Sequence, residues 1–260
     1  MQLIDTHCHL THGRFQEDAD QVVRDAQAAG IVQMMTISTG LADAAEGVEL
    51  CARWPGVVHR ACGLDPFTCF ERHHVFREDL AQLREHLQEH ACAALGEVGL
   101  EYFHTVLPAQ QQHECLQAQL QLAQDLTLPV VIHVRDAHAD MQAILAQHPQ
   151  VVGVIHSFDG TADDARAYLD LGWYISFNGM STFKKKGYLR DAVAMVPEER
   201  LLFETDSPFL SPEPLRGRRC QPSYVVHVVE AAARQRGVSA EHLAQVSTAN
   251  ACRLFAFPHV

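Results

Sequence analysis

The sequence predicts an α/β protein built as a closed (β/α)8 barrel, the TIM-barrel arrangement, and two observations support that prediction. Short apolar runs alternate with longer amphipathic segments along the 260 residues, as parallel strands alternate with helical crossovers. Several runs end in a residue able to bind a divalent metal: 3–9 carries His7 and His9, 94–97 ends in Glu97, 130–133 in His133, 152–156 in His156 and 201–206 in Asp206. A closed barrel gathers the C-terminal ends of its strands around one mouth, whereas an open sheet would spread these residues along an edge.

The first strand, 3–9, starts almost at the N-terminus. Side chains alternate across a strand, so His7 and His9 share one face and Cys8 takes the other. Residues 15–29 place Ala19, Val22, Val23 and Ala26 at helical spacing, with Gly30 as the stop. A second strand at 33–37 leads to a helix at 41–53, halted by Pro55 and Gly56. The third strand, 57–63, runs into Leu64-Asp65-Pro66. Residues 76–90 carry Leu80, Leu83 and Leu87 on one stripe of a surface helix, and the fourth strand is expected to end at Glu97. In the helix at 109–126, Leu116, Leu120 and Ala123 keep an apolar face, and its many glutamines read as solvated surface. Strand five ends at His133 and strand six at His156. Strand seven, 173–177, leads into Asn178-Gly179-Met180-Ser181, and strand eight ends near Thr205. Helices at 224–236 and 239–255 close the chain, the second with Ser239 as its N-cap.

With 47% hydrophobic and 20% charged residues and no shift of composition, residues 1–260 read as a single domain around one large core. The N-terminus leaves no room for a leader, and no apolar run is long enough to cross a bilayer, so a soluble, cytoplasmic protein is expected. Cys8, Cys51, Cys62, Cys69, Cys92, Cys115, Cys220 and Cys252 show no short paired spacing and read as reduced, small apolar residues. A net charge of −12 opposes tight, sequence-independent binding along duplex nucleic acid but leaves room for a local phosphate site.

Neutral imidazoles are common ligands for transition metals, and a metal needs more than two ligands. A lone histidine is usually a hydrogen-bonded structural residue. Six ligand-type side chains in register at strand ends favour a metal site instead. Arg135 lies two residues after His133 and faces the same way if the strand continues; its fork suits a phosphate or, equally, a neighbouring carboxylate. Lys184, Lys185 and Lys186, with Arg216, Arg218 and Arg219, follow strands seven and eight and so fall at the same mouth, either as phosphate ligands or as a solvated charge run. The other thirteen histidines read as structural or surface residues; of these only His12 and His104, which follow strand ends, have a substrate contact as the alternative reading.

Five motifs resemble those of the TatD family of metal-dependent hydrolases, in the family's order: Ile4-Asp5-Thr6-His7-Cys8-His9, Gly96-Glu97-Val98-Gly99-Leu100-Glu101, Val131-Ile132-His133-Val134-Arg135-Asp136-Ala137, Val154-Ile155-His156-Ser157-Phe158, and Glu204-Thr205-Asp206-Ser207-Pro208-Phe209. The resemblance implies a somewhat distorted barrel and hydrolysis assisted by two divalent ions (Mg, Mn or Zn), most often of phosphodiesters in DNA. It implies His7 and His9 on one ion, His133 and His156 on the second, Glu97 between them, and Asp206 on the first, where it can orient or deprotonate water. The catalytic residues are then Asp206 and Glu97.

Four positions depart from the family pattern: Asp65 where His is common, Glu101 where Asp is common, and Cys220-Gln221 where Asn-Glu is common. The expected activity is a deoxyribonuclease acting on DNA ends or single strands, with DNA as substrate and no membrane or obligate protein partner. The alternatives are an ester or amide hydrolase, such as a deacylase of mischarged transfer RNA, and a metal-holding but inactive protein.

Overall fold

Eight strands alternate with helices in the computed structural model, which describes residues 1–104 and 107–258. Residues 105–106 and 259–260 of the expected 1–260 unit lie outside the described residues. The strands are β1 (Leu3–Cys8), β2 (Ile31–Ser38), β3 (Val58–Cys62), β4 (Ala94–Glu101), β5 (Val130–Arg135), β6 (Gly153–Ile155), β7 (Tyr174–Phe177) and β8 (Leu201–Phe203). They lie parallel and in sequence order. Just past β8 the chain closes the seam with β1: Asp206 N donates to the His7 carbonyl at 2.9 Å, and His9 N donates to the Ser207 carbonyl at 2.7 Å. The sheet edge disappears where the metal-ligand candidates lie.

The helices are α1 (Ala19–Ala28), α2 (Ala44–Arg53), α3 (Pro66–Glu71), α4 (Phe76–Glu89), α5 (Ala109–Leu126), α6 (His138–Leu145), α7 (Ala162–Asp170), α8 (Gly187–Met195), α9 (Val225–Arg236) and α10 (Ala240–Phe255). Their ends follow local chemistry. Thr161 and Asp164 form a reciprocal capping box on α7, Gly237 takes the left-handed conformation that ends α9, and Ser239 Oγ accepts from His242 N at 3.1 Å ahead of α10.

Outward-facing strand residues such as Val130, Ile132, Ile155 and Phe203 pack under the helices. A separate cluster fills the barrel: Ile4, Ile37, Ala61, Ala94, Val131, Val154, Tyr174 and Leu202 meet Phe255 and Phe257. Full burial of each such phenylalanine contributes about 1.5–3 kcal/mol. The end of the chain thus plugs the barrel floor, and Phe257 stacks on His59 with ring centres 4.0 Å apart.

Several boundaries differ from expectation. α1 begins at Ala19 because residues 13–15 form a separate 3-10 turn that buries Phe15. Leu64-Asp65-Pro66 leads into the unanticipated helix α3, with the Asp65 carboxylate accepting from Thr68 N at 2.7 Å and Pro66 in the first turn. β4 continues past Glu97 to Glu101, and β5 past His133 to Arg135, because Gly99 pairs with His133 and Glu101 with Arg135. That approach is close enough that a Cβ on Gly99 would overlap the His133 carbonyl. Not all the glutamines of α5 are solvated. Gln112 is buried against Glu101 N and the Leu107 carbonyl, and Gln119 brackets Leu64 N and O.

Candidate metal centre

The upward direction of each strand, with side-chain alternation on β5 and β6 and pairing shifts on β1 and β4, brings the six predicted ligands to one place. On β5, Val131 faces the floor cluster, and His133, two residues on, faces the mouth; Val154 and His156 repeat this at β6. Past β8, Asp206 adopts a left-handed backbone (φ 56°), held by its bond to the His7 carbonyl and by Thr205, whose N and Oγ1 donate to buried Asp5 at 2.9 and 2.6 Å. Such a conformation costs a non-glycine residue free energy and persists only where its surroundings fix it.

Glu97 sits at the centre with its two oxygens turned to different partners. Oε2 lies 3.4 Å from His7 Nε2 and 3.9 Å from His9 Nε2, while Oε1 lies 2.9 Å from His133 Nδ1 and 3.0 Å from His156 Nε2. His7 Nε2 and His9 Nε2 are 3.2 Å apart, and Asp206 Oδ1 is 3.3 Å from the latter. The rings of His7 and His156 stack with centres 3.9 Å apart, joining the two halves of the site.

This donor set fits metal ions. Ligands held tetrahedrally at about 2.0–2.1 Å from one ion lie about 3.3 Å from each other. The His7–His9, His7–Glu97 and His9–Asp206 separations match that edge. Three overlapping groups can each surround an ion: His7, His9 and Glu97; His7, His156 and Asp206; and Glu97, His133 and His156. The far nitrogens of three rings are aimed elsewhere: His9 Nδ1 at the Ile37 carbonyl (3.2 Å), His133 Nε2 at Glu101 (3.2 Å) and His156 Nδ1 at Glu204 (3.4 Å). A carbonyl can only accept, so His9 carries its proton on Nδ1 and offers the Nε2 lone pair inward.

The electrostatics say the same. Burial alone would raise Glu97, yet the charge on His156 and hydrogen bonds from His133, His156 and His7 hold it well below the usual carboxylate range. Burial opposes charge on His133, but Glu101 and Glu97 raise it to about 9, and the carboxylates Glu97 and Glu204 likewise lift His156. Burial and the His156 charge lower His7. Protons therefore supply positive charge among the buried carboxylates, which a cation would replace with release of protons.

A cavity of about 600 Å³ opens over this cluster. Arg135 lines it, its guanidinium 4.6 Å above the Phe103 ring, and makes no ion pair among the described residues. His12 and His104 line it as well. The basic loops fall differently. Arg219 is held by both oxygens of Asp18 (2.9 and 2.6 Å) and lies over Phe15, so its fork fastens its own segment and is not a free phosphate ligand. Lys186 bonds the Tyr188 hydroxyl, and Arg216 covers Phe183. Lys184, Lys185 and Arg218 are exposed, and none of the three lines the cavity.

Sequence reasoning missed Glu101 and Glu204 as neighbours of the candidate ligand histidines His133 and His156. The signal was present: Glu101 stands four residues past Glu97 on a strand, and Glu204 two before Asp206, spacings that share a face. Phe67 and Phe209, which also line the cavity, carried no periodic signal at all.

The model of the TatD related DNase family matches residues 4–256. The chain belongs to that family. It is a TatD-family metal-dependent hydrolase, 38% identical over 260 residues to the uncharacterized metal-dependent hydrolase YcfH of Escherichia coli K12, covering 98% of this chain and 96% of the relative. It is 35% identical to the 3'-5' ssDNA/RNA exonuclease TatD of Edwardsiella piscicida, covering 97% and 99% of the two chains. Among solved structures, the TatD homolog YJJV of Escherichia coli K12 superposes with a TM-score of 0.89 at 29% identity, over 98% of each chain. These TatD-family matches agree with the barrel and its histidine and carboxylate mouth. No helix among the described residues is long and apolar enough to cross a membrane.

Proposed function

We propose that this TatD-family hydrolase is a deoxyribonuclease that cleaves phosphodiesters at DNA ends or in single strands, using two divalent ions, Mg, Mn or Zn. The observation that supports this best is the division of Glu97, one oxygen toward His7 and His9 and the other toward His133 and His156. A carboxylate shared in this way suits a pair of ions, with Asp206 completing the set beside His9. When bound, such ions acidify water and neutralise charge on a phosphoryl group and its departing oxygen.

The chain's own residues supply the rest. Asp206 lies at the cavity edge, where its carboxylate can orient an attacking water and take its proton. Glu101 fixes the ring of His133 by a hydrogen bond so that its inward nitrogen stays aimed, and Glu204 places a carboxylate 3.4 Å from the outer nitrogen of His156. Arg135, steadied by Phe103 and without a competing carboxylate among the described residues, can hold a phosphate oxygen as its substrate-binding role requires. Lys184, Lys185, Lys186 and Arg218 are read as contacts to the strand outside the cavity. The relative named as a single-strand exonuclease supports nucleic acid as the substrate class. We further read residues 1–260 as one catalytic domain, and the eight free thiols support work in the reducing cytoplasm.

The deciding experiment incubates purified protein, loaded in turn with Mg, Mn and Zn, with single-stranded DNA, duplex DNA, RNA and aminoacyl-tRNA, and counts bound metal by elemental analysis. Two ions per chain and preferential cleavage of single-stranded DNA are expected. Turnover confined to aminoacyl-tRNA would replace the nuclease by the deacylase.

A further inference from the structure

Two exposed phenylalanines share the cavity with the metal ligands. Phe67 is 39% exposed and Phe209 is 42% exposed. A single exposed phenylalanine on a protein surface is ordinary. These two differ because both line the cavity that holds His9, His133 and Asp206, and they do so from different sides. Phe209 stands at the seam of β8 and β1, its ring 6.1 Å from that of the ligand His9 and 5.3 Å from that of His12, nearly perpendicular to the latter. Phe67 opens α3 above β3 and meets His104, which follows β4, at 5.6 Å.

Charge narrows the occupant. Beyond the candidate ligands, and among the described residues, Asp43, Asp65, Glu101 and Asp159 line the cavity against one arginine, Arg135, and no lysine. A chain of phosphates threaded through it would be repelled everywhere except at the ions and Arg135. What fits is a single anionic group flanked by flat, neutral, aromatic surfaces, as in one nucleotide step whose bases are unpaired. Bases within a duplex are already stacked and cannot offer their faces to protein rings.

Resting on the nuclease reading, we propose that Phe67 and Phe209 are specificity-determining residues that stack the two unpaired bases flanking the scissile phosphodiester. Selection of single strands over duplex then comes from these rings, independent of base sequence because every base has a π-face. With Arg135 as the only arginine or lysine lining the cavity among the described residues, the salt slope contributed there is shallow, about 0.7 per contact.

The test compares the full-length, metal-loaded protein with Phe67→Ala, Phe209→Ala, the double variant, and Phe67→Tyr with Phe209→Tyr. Both rings are exposed, so truncation spares the core. On a single-stranded oligonucleotide each alanine should raise KM roughly tenfold and leave kcat within about threefold, with tyrosine restoring KM. On the same oligonucleotide with abasic sites flanking the cleaved bond, the unaltered protein should be as poor as the alanine variants. Unchanged KM, or a rise that persists in full on the abasic strand, overturns the proposal. A trinucleotide containing 2-aminopurine reads stacking without turnover: quenching by the unaltered protein that disappears in the double variant supports the proposal, and equal quenching by both overturns it. Failure of the nuclease reading looks different, because the unaltered protein would then cleave no oligonucleotide.

Discussion

Two layers of inward-facing side chains, one alternation apart on the same strands, behave as opposites. The lower layer, with Ala61, Val131, Val154 and Leu202, is buried and closed from below by Phe255 and Phe257. The upper layer, two residues further along, substitutes His133 for Val131, His156 for Val154 and Glu204 for Leu202. That step is about 6.6 Å along a strand. Below it, dry packing is stable by itself. Above it, every buried charge needs a counter-charge or an ion. Stability and chemistry are therefore separated by depth in this barrel, and substitutions in the two layers should fail in different assays.

The largest expected effect lies at the centre of the upper layer. Glu97→Ala removes the carboxylate that faces all four histidines, and kcat/KM should fall by about 10³-fold or more, the scale of losing an electrostatic group from the reacting site. Bound metal, counted by elemental analysis, should fall with it. Wild-type turnover in this variant would end the model of a shared carboxylate. In the lower layer, Leu202→Ala should cost about 2–5 kcal/mol of stability in urea unfolding, as buried leucine truncations do, while kcat of the folded protein stays near wild type. A large loss of kcat at unchanged stability would show that the layers are not separable.

A third substitution probes the support of the upper layer. Glu101 is pushed up by burial, but hydrogen bonds from His133 and from His104 outweigh this and hold it at about 2, so it is charged wherever the protein works. Glu101→Ala frees the outer nitrogen of His133 and should weaken metal binding at the His133–His156 end about 10–100-fold, leaving the His7–His9 end unchanged. Calorimetric titration should resolve the two steps. Equal weakening of both would mean that Glu101 acts through overall charge and not through His133.

How much of this was legible depended on whether a strand was regular. β5, β6 and the approach to Asp206 keep strict alternation, so Val131 and His133, or Leu202 and Glu204, can be assigned to layers from the sequence. β1 and β4 do not. Their pairing shifts between Asp5 and Cys8 and between Leu95 and Val98, which lets Ile4 and His7, and Ala94 and Glu97, face inward although each pair is three residues apart. Irregularities of this kind cluster beside active sites, where they re-aim a side chain. Nothing in residue type announces them, and the end of β4 was accordingly placed four residues early. The glutamines of α5 failed for a related reason: Gln112 and Gln119 look like solvated residues until the tertiary fold brings the ends of β4 and β3 against them. The loops were least legible, because a basic run looks the same whether its cations are free, as at Lys184, or tied down, as at Arg219.

The smallest effect tests the border between the layers, at Asp65. This carboxylate is buried at the cavity wall, and burial, with the charge of Glu97 adding to it, raises it to about 6. The unfolded chain ionises Asp65 near pH 4, about two units lower. Below pH 4 both states hold the proton, and Asp65 costs the fold nothing. Between pH 4 and 6 the unfolded state gives up its proton first, so stability drains away as pH rises, and above pH 6 the loss is complete and constant. Asp65→Asn keeps the acceptor that caps α3 through Thr68 N and removes the ionisation. In metal-free protein the variant should therefore match wild type near pH 4 and exceed it by roughly 1.4–2.7 kcal/mol at pH 7, one to two pKa units at 1.36 kcal/mol each. Urea unfolding of both proteins at pH 4, 5, 6 and 7 measures the difference directly. A gain that does not vary with pH would place the benefit in packing or capping. A variant less stable than wild type at pH 7 would show that Asp65 is a paired, stabilising charge, and the border would belong to the upper layer, with its need for counter-charge.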